Sequence, residues 1–593
     1  MSGTGKDGRR RFRLVLVKPS HYDDDGYVIQ WYRSAMPSNS LAALYGLALE
    51  CSEQKALGDD VEIEIRAFDE TNTRIRPAHV AALVEGADAG MVMLVGVQSN
   101  QFPRALDIAA PLRERGIMVA VGGFHVSGTI SMLKERDPDV LRATAMGVSL
   151  FAGEAEEGRL ARVMLDALNG ELKPLYNFMD DLPNLEGAAI PLLPADRVRH
   201  TAGANTTFDA GRGCPYACSF CTIINVQGRK SRRRSPDDVE RIVRANLAQG
   251  IHSFFITDDN FARNKDWEAI LDRLIRLREV EKLRIKFTIQ VDTLCHRLPN
   301  FIEKCTRAGV RRVFIGLENI NPESLIGARK RQNKITEYRK MLLAWKRAGV
   351  LTCCGYILGF PNDTPETILR DIRIIQKELP VDLLEFFCLT PLPGSEDHRK
   401  LHEAGVWMDP DMNKYDVTHI TTAHPRMSRG EWERAYELAW QTYYSTAHVE
   451  TVLRRAAATG TSPGKALFYM AWFKGCIAIE KIHPLEGGLL RLKFRRDRRV
   501  GLPLEPAWRF YPKSLAEMLG KQIQWIALYA RLYLIYSGIK RDPRRGEYTD
   551  LALTPVLDEH DEIESMELFQ SESAQAYLMQ VGRIEKSHQG EAV

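Results

Sequence analysis

Two successive series of short β-branched runs alternating with amphipathic stretches constrain this 593-residue chain more than any other feature. In the first series, from Phe12 to about Leu168, the apolar runs are "RLVLVKPS", "VEIEIRAFD", "GMVMLVGVQS", "IMVAVGGFHVSG" and "VSLFAGEAEEGRLARVMLDAL". Between them, Leu41 to Glu50, Ala78 to Gly86 and Phe102 to Arg115 have helical spacing. Apolar strands separated by amphipathic helices predict an α/β fold with a doubly wound parallel sheet. Ligands of such sheets bind beyond the carboxyl ends of the strands. The informative residues are therefore those that follow each strand: Pro19-Ser20, Gln98-Ser99-Asn100, Gly122-Gly123-Phe124-His125 and Gly153-Glu154.

A proline-rich stretch without sustained period, residues 173–205, reads as a linker. The second series follows over 206–401, with strands expected in "TTFDAGRG", "SFFITDDNF", "IKFTIQVDT", "RRVFIGLEN", "LTCCGYILGF" and "LLEFFCLTPLPGS". Six repeats suffice for a partial (β/α) barrel, whose site forms at the strand ends. Residues 402–555 have mostly helical periodicity, 1–11 are expected to be disordered, and 556–593 read as an acidic and polar tail.

The basic start "MSGTGKDGRRRFRLVLV" has an apolar run too short for a signal peptide or a span, so a cytoplasmic location is expected. Ten cysteines are then expected to be reduced. Seven are scattered, but Cys214, Cys218 and Cys221 crowd into "GRGCPYACSFCT". A disulfide suits neither the compartment nor an odd number of clustered thiols. Structural zinc usually takes four ligands, and no second CxxC or HxxxH accompanies this set. An iron–sulfur cluster fits better, because thiolates suit soft iron sites. Three ligands to a cubane would leave one iron open.

"CPYACSFC" resembles the CxxxCx(aromatic)C signature of the radical S-adenosylmethionine (SAM) enzymes, with Phe220 as the aromatic residue. The resemblance implies a [4Fe-4S] cluster on Cys214, Cys218 and Cys221, SAM chelated at the open iron, and one-electron cleavage to a 5′-deoxyadenosyl radical. It extends to "GYILGFPNDT", which puts Gly355, Ile357 and Gly359 against adenine, and to "FIGLEN", with Glu318 at the polar position. "FITDDNFARN" places Asp258 and Asp259 near SAM or substrate, Asp259 being the candidate catalytic group, and "LTPLPGSE" matches the sixth-strand exit. Carboxylates at a strand end are also common helix caps.

The first series resembles the B12-binding domain of cobalamin-dependent radical SAM proteins, which implies a cobalamin site at Ser20, Ser99, Gly122, Gly123, His125, Gly153 and Glu154. The DxHxxG string that supplies a lower cobalt ligand is absent. A domain that binds no cofactor is the competing reading. Pairing the two cofactors favours methylation of an unactivated carbon, with methylcobalamin as methyl source and the protein supplying position and exclusion of water. Radical oxidation or ring closure, as in the anaerobic magnesium-protoporphyrin cyclase of the same family, shares every motif.

The expected partners are a small-molecule or lipid-like substrate and an electron donor such as flavodoxin or ferredoxin; oligomeric state is not legible. Residues Ile523 to Ile539 are apolar and aromatic, broken by Arg531 and flanked by Lys521, Lys540 and Arg541. They read either as an interfacial helix in peripheral contact with the inner face of a membrane or as a buried helix capping the barrel. Arginine clusters in "GRKSRRRSPDD" and "RRDRR" raise an RNA-modifying alternative. A net charge of only +4 and the lack of an RNA-binding fold argue against nucleic acid, and Ser235-Pro236-Asp237 reads as a helix start that would carry Arg232 to Arg234 in solvent. A non-enzymatic scaffold would not require the thiolate set. Strand placement suggests Tyr216, Gln290, Asp292, Glu385 and Cys388 as pocket-lining residues.

Overall fold

The computed structural model describes residues 9–133, 137–556 and 558–590. The disorder expected for residues 1–8 and the polar end expected at 591–593 lie outside the described residues. Six parallel strands form the first sheet: β1 (Arg10–Lys18), β2 (Val61–Asp69), β3 (Ala89–Leu94), β4 (Met118–Gly122), β5 (Ser149–Ala152) and β6 (Leu175–Asn177). Their spatial order is β2-β1-β3-β4-β5-β6, the doubly wound arrangement expected from the alternation. Side chains alternate across each strand, so two cores form. Phe12, Leu14, Leu16, Met91 and Met93 face one helical layer, while Val15, Val17, Val92 and Leu94 face the other.

The second sheet is likewise parallel throughout: β7 (Asn205–Phe208), β8 (Ser253–Ile256), β9 (Lys286–Val291), β10 (Val310–Glu318), β11 (Leu351–Leu358) and β12 (Leu383–Cys388). Four lie within a run expected from sequence, while β7 and β10 each begin one residue before theirs. The strands follow chain order from β7 at one edge to β12 at the other, and β11 is buried along its whole length. An open barrel leaves an edge strand with unpaired backbone groups. Here Tyr444 meets that need, its hydroxyl accepting from Leu384 N at 3.2 Å and donating to Leu384 O at 3.0 Å. Tyr443 donates similarly to Val381 O.

Four expectations change. β1 begins at Arg10, so residues 10 and 11 are ordered by pairing with β2 rather than disordered. Residues 175–177, expected in the linker, form β6 because Leu150 and Ala152 offer an unpaired strand edge. The stretch 556–593 is no free tail across its described residues: Met566, Leu568, Phe569 and Ala574 join the barrel core. Buried Arg339 draws this stretch in, pairing with Glu562 and donating to Thr554 O. Finally, the mostly helical region 402–555 contributes a strand, Gly488–Leu492, antiparallel to Gln30–Ser34 near the chain start.

Candidate functional site

The three thiols lie in the loop after β7, at the carboxyl end of the barrel sheet. Its entrance is fixed by Asp258, whose Oδ1 accepts from Ala210 N at 2.7 Å and Gly211 N at 2.8 Å. Asn264 Nδ2 donates to the other oxygen at 2.9 Å. Asp259 Oδ2 accepts from Gly213 N at 3.0 Å. Gly213 has φ +90°, and a Cβ there would lie 2.5 Å from Lys230 O, so only glycine fits this turn. The far side is tied by Ser219, which donates through N to Ala328 O and through Oγ to Asp397.

Around the sulfurs, Gln332 Nε2 lies 3.6 Å from Cys218 Sγ, and Lys330 stands 5.7 Å from the Phe220 ring centroid. Burial pushes the Cys214 thiol up to about 11 and the Cys221 thiol up to about 12. Among the described residues no three His, Cys, Asp or Glu side chains converge as the ligands of a single ion would. A cubane spreads its thiolates over different irons, so a loop that carries three separated thiols beside a lysine fits a cluster.

Of the residues expected beside SAM, Phe220 and Ile357 meet in a small apolar cluster with Phe360, Ala328, Phe387 and Leu389, apart from the main core. Glu318, at φ +61°, is held by Lys330 at 2.6 Å. Burial lowers the Lys330 pKa, but pairing with Glu318 outweighs this and holds the amine protonated. Three candidates have other work. Asp258 is 2% exposed and serves the loop backbone, though burial pushes its pKa up to about 7. Gly355 is a packing glycine, since a Cβ would lie 2.9 Å from Phe314 Cζ and 3.3 Å from Phe387. Gly359 is required by Trp432, whose ring a Cβ would meet at 1.8 Å.

Between the strand ends of the first sheet and the cysteine loop lies a cavity of about 350 Å³. Met93, Leu44, Leu47, Phe151 and Leu160 make an apolar floor, and Gly122, Gly123, Gly153 and Glu154 line it as expected, with Gly96 and Ser127 unforeseen. The barrel closes it with Arg212, Ile223, Val226, Gln227 and Asp259. Glu154 is not free for a ligand: it pairs with Arg212 at 2.6 Å and with Arg232. Arg212 also reaches Glu156 at 2.7 Å and Asp209 at 3.1 Å, joining the two sheets.

Ser20, Ser99 and His125 do not line the cavity. Ser20 donates to Ile29 O and, through its backbone, to Glu70. His125 is buried against Phe102 with Nδ1 3.2 Å from Ser99 Oγ, and burial drives its pKa down to about 3. Its position in the first turn of a helix (Phe124–Met132) turns it into the core, so it is a structural histidine.

Each pocket residue suggested by strand placement has at least one partner within the fold. Tyr216 donates to Asp292, itself held by Arg263, and Gln290 donates to Asp258 O. Cys388 points to Thr418 O. Glu385 is buried beside Cys353, one oxygen lacks a partner, and burial pushes its pKa up to about 7. The arginine clusters are turned partly inward, with Arg229 and Arg496 left exposed. Arg234 is 1% exposed and donates to Asp209 O, Arg233 pairs with Asp266, and Arg499 pairs with Asp411. Sequence reasoning missed Lys330, Gln332 and Arg212. Only the adjacency of "GRGC" to the cysteines hinted at the last.

The sequence model of the Radical SAM superfamily matches residues 210–375. The bacteriochlorophyllide d C-8(2)-methyltransferase of Chlorobaculum tepidum is 26% identical over 358 residues, covering 56% of this chain and 73% of that protein. The hopanoid C-2 methylase of Rhodopseudomonas palustris is 29% identical over 314 residues, covering 52% of this chain and 56% of its own length. A solved structure of the radical SAM methyltransferase TsrM from Kitasatospora setae, with cobalamin and a [4Fe-4S] cluster bound, is 18% identical over 68% of this chain and 80% of that one, at TM-score 0.49. The matched span opens on the turn that Asp258 holds and runs through β11, so this chain carries a radical SAM domain, and enzymes of that superfamily work with a [4Fe-4S] cluster and SAM.

Proposed function

We propose that this enzyme is a cobalamin-dependent C-methyltransferase acting on an unactivated carbon of a small-molecule or lipid-like substrate. The observation that carries the reading is the cavity that joins the strand ends of the first sheet to the cysteine loop, in a chain whose relatives include methyltransferases. Cys214, Cys218 and Cys221 are the proposed cluster ligands, with Phe220 and Ile357 flanking SAM. The cavity residues Gly122, Gly123 and Gly153 are proposed to face the corrin. When bound, cluster, SAM and cobalamin supply radical formation and a transferable methyl group. The chain's own residues orient and shield. The apolar floor excludes water, Lys330 places a fixed positive charge beside the sulfurs, and the Arg212 clamp holds the two halves of the cavity in register.

The methyltransferase relatives support methyl transfer over ring closure. Among the described residues no histidine lines the cavity, and His125 is turned into the core against Phe102. We also propose a flavodoxin or ferredoxin as electron donor.

The test is anaerobic reconstitution with iron, sulfide and hydroxocobalamin, followed by measurement of iron, sulfide and corrin content and of methyl transfer from labelled SAM. About four irons and one corrin per chain are expected. Cys221→Ser should lose SAM cleavage. Four irons without corrin would overturn the methyltransferase reading and leave the radical SAM domain standing.

A further inference from the structure

The helix α1 (Ala507–Arg541) is the longest in the structure among the described residues, yet buries only Phe510, Leu532 and Ile539 fully. Its inward face packs on the preceding helices, with Trp525 donating to Glu480 at 2.9 Å. The buried-cap expectation therefore holds for one face alone. The other face is apolar and open: Trp508, Leu515, Leu519, Ile523, Ile526 and Leu534 are between 53 and 79% exposed. At about 100° per residue these positions fall in one sector opposite Leu532. Tyr511, Tyr529 and Tyr533 lie along one margin of that sector, each also exposed. From Trp508 to Leu534 the stripe runs roughly 39 Å at 1.5 Å per residue.

Charge is distributed just as unevenly. On the same projection Arg509, Lys513 and Arg531 lie along the margin opposite the tyrosines, and all three are exposed. Lys540 and Arg541 close the carboxyl end. The helix has a single acid, Glu517, which faces inward and is neutralised by Lys521 at 3.1 Å and Lys493 at 3.5 Å. The outer surface thus combines an apolar stripe, a tyrosine margin and a basic margin. A protein partner would need to match a long, smooth apolar strip. An anionic bilayer surface satisfies every part at once: acyl chains take the stripe, the headgroup boundary takes the tyrosines, and phosphates take the basic margin.

We propose that α1 docks the enzyme on the surface of an anionic membrane, lying in the interface plane. No helix of the described residues is long and apolar enough to cross a membrane, so attachment is peripheral. This inference stands independently of methyl transfer, since it concerns a face remote in sequence from residues 210–375.

The experiment is flotation of the full-length, cluster-reconstituted protein with vesicles of phosphatidylcholine alone or with one quarter phosphatidylglycerol, at low and high salt. Binding to the anionic vesicles, weakened by salt, is expected. Each basic residue near such a surface contributes about fivefold, so Arg509→Glu/Lys513→Glu/Arg531→Glu should weaken binding by at least roughly 100-fold. Leu519→Glu/Ile523→Glu should abolish it while iron content and helical circular dichroism stay unchanged. Because both variants alter exposed side chains, misfolding would show in those two controls, and Ile523→Ser then provides a milder probe with the same expected direction. Wild-type protein that ignores anionic vesicles overturns the proposal. So does a wild-type dimer that the stripe variant converts to monomer, which would make a second copy the occupant.

Discussion

Replacing Arg212 with methionine should uncouple the two sheets. This guanidinium serves three carboxylates, Glu154, Glu156 and Asp209, whose side chains are 7, 4 and 3% exposed. After the substitution Glu154 retains Arg232, and Asp209 retains Arg234 at 3.6 Å. Glu156 is left as the stranded charge. Removing one partner of a buried pair costs about 3–5 kcal/mol, because the remaining ion has neither water nor a counter-charge. With a urea m-value of about 2–3 kcal/mol/M, the unfolding midpoint of the variant should fall by roughly 1–2 M at pH 7. Arg212→Met/Glu156→Gln removes the stranded charge and should recover about half of the loss or more. Burial alone would raise the Glu156 and Asp209 pKa values, but Arg212 outweighs it and holds both below the ordinary range. Such depressed carboxylates add stability above their unfolded pKa values and lose it as pH falls through the lower folded ones. The deficit of Arg212→Met should therefore shrink in acid. Urea titrations followed by tryptophan fluorescence at pH 7 and below pH 4 measure this. A loss under about 1 kcal/mol at pH 7, or a double variant no better than the single, refutes the reasoning.

Three further outcomes follow from the geometry. Asp258→Ala strands the amides of Ala210 and Gly211, costing about 1–3 kcal/mol each, and should lower iron retention after gel filtration; Asp258→Asn, which keeps an acceptor, should retain iron. Gly359→Ala forces a side chain into φ +101° and the Trp432 ring, so its melting temperature should drop by several degrees, corresponding to about 2–5 kcal/mol, and an unchanged melt would contradict the packing. For His419, burial lowers the pKa, but hydrogen bonds to Asp24 and Asp416 outweigh it and push it up to about 10. A raised histidine contributes fully below about 6.5 and loses its contribution as pH rises through 10, so His419→Gln should flatten the decline of thermal stability across that window.

What the sequence determined by itself is what short segments encode. Period-two and period-3.6 patterns mark β1 to β5 and β7 to β12, because a strand or helix needs only its own residues to expose an apolar face. The spacing of Cys214, Cys218 and Cys221 is equally local, and so is the Ser235 start of its helix, which the structure caps through Asp238. The glycines at strand ends were legible as glycines, but not their reasons: Gly359 answers to Trp432, and Gly355 to Phe314 and Phe387. Tertiary structure alone decided the pairs that span the chain. Gln30–Ser34 meets Gly488–Leu492, Tyr444 seals the edge of β12, and Arg339 folds the acidic tail onto the barrel. The same holds for polar residues. A buried carboxylate or imidazole takes whatever partner the packed fold brings within reach, which is how Asp258 became a loop anchor, Glu154 a clamp and His125 a core residue.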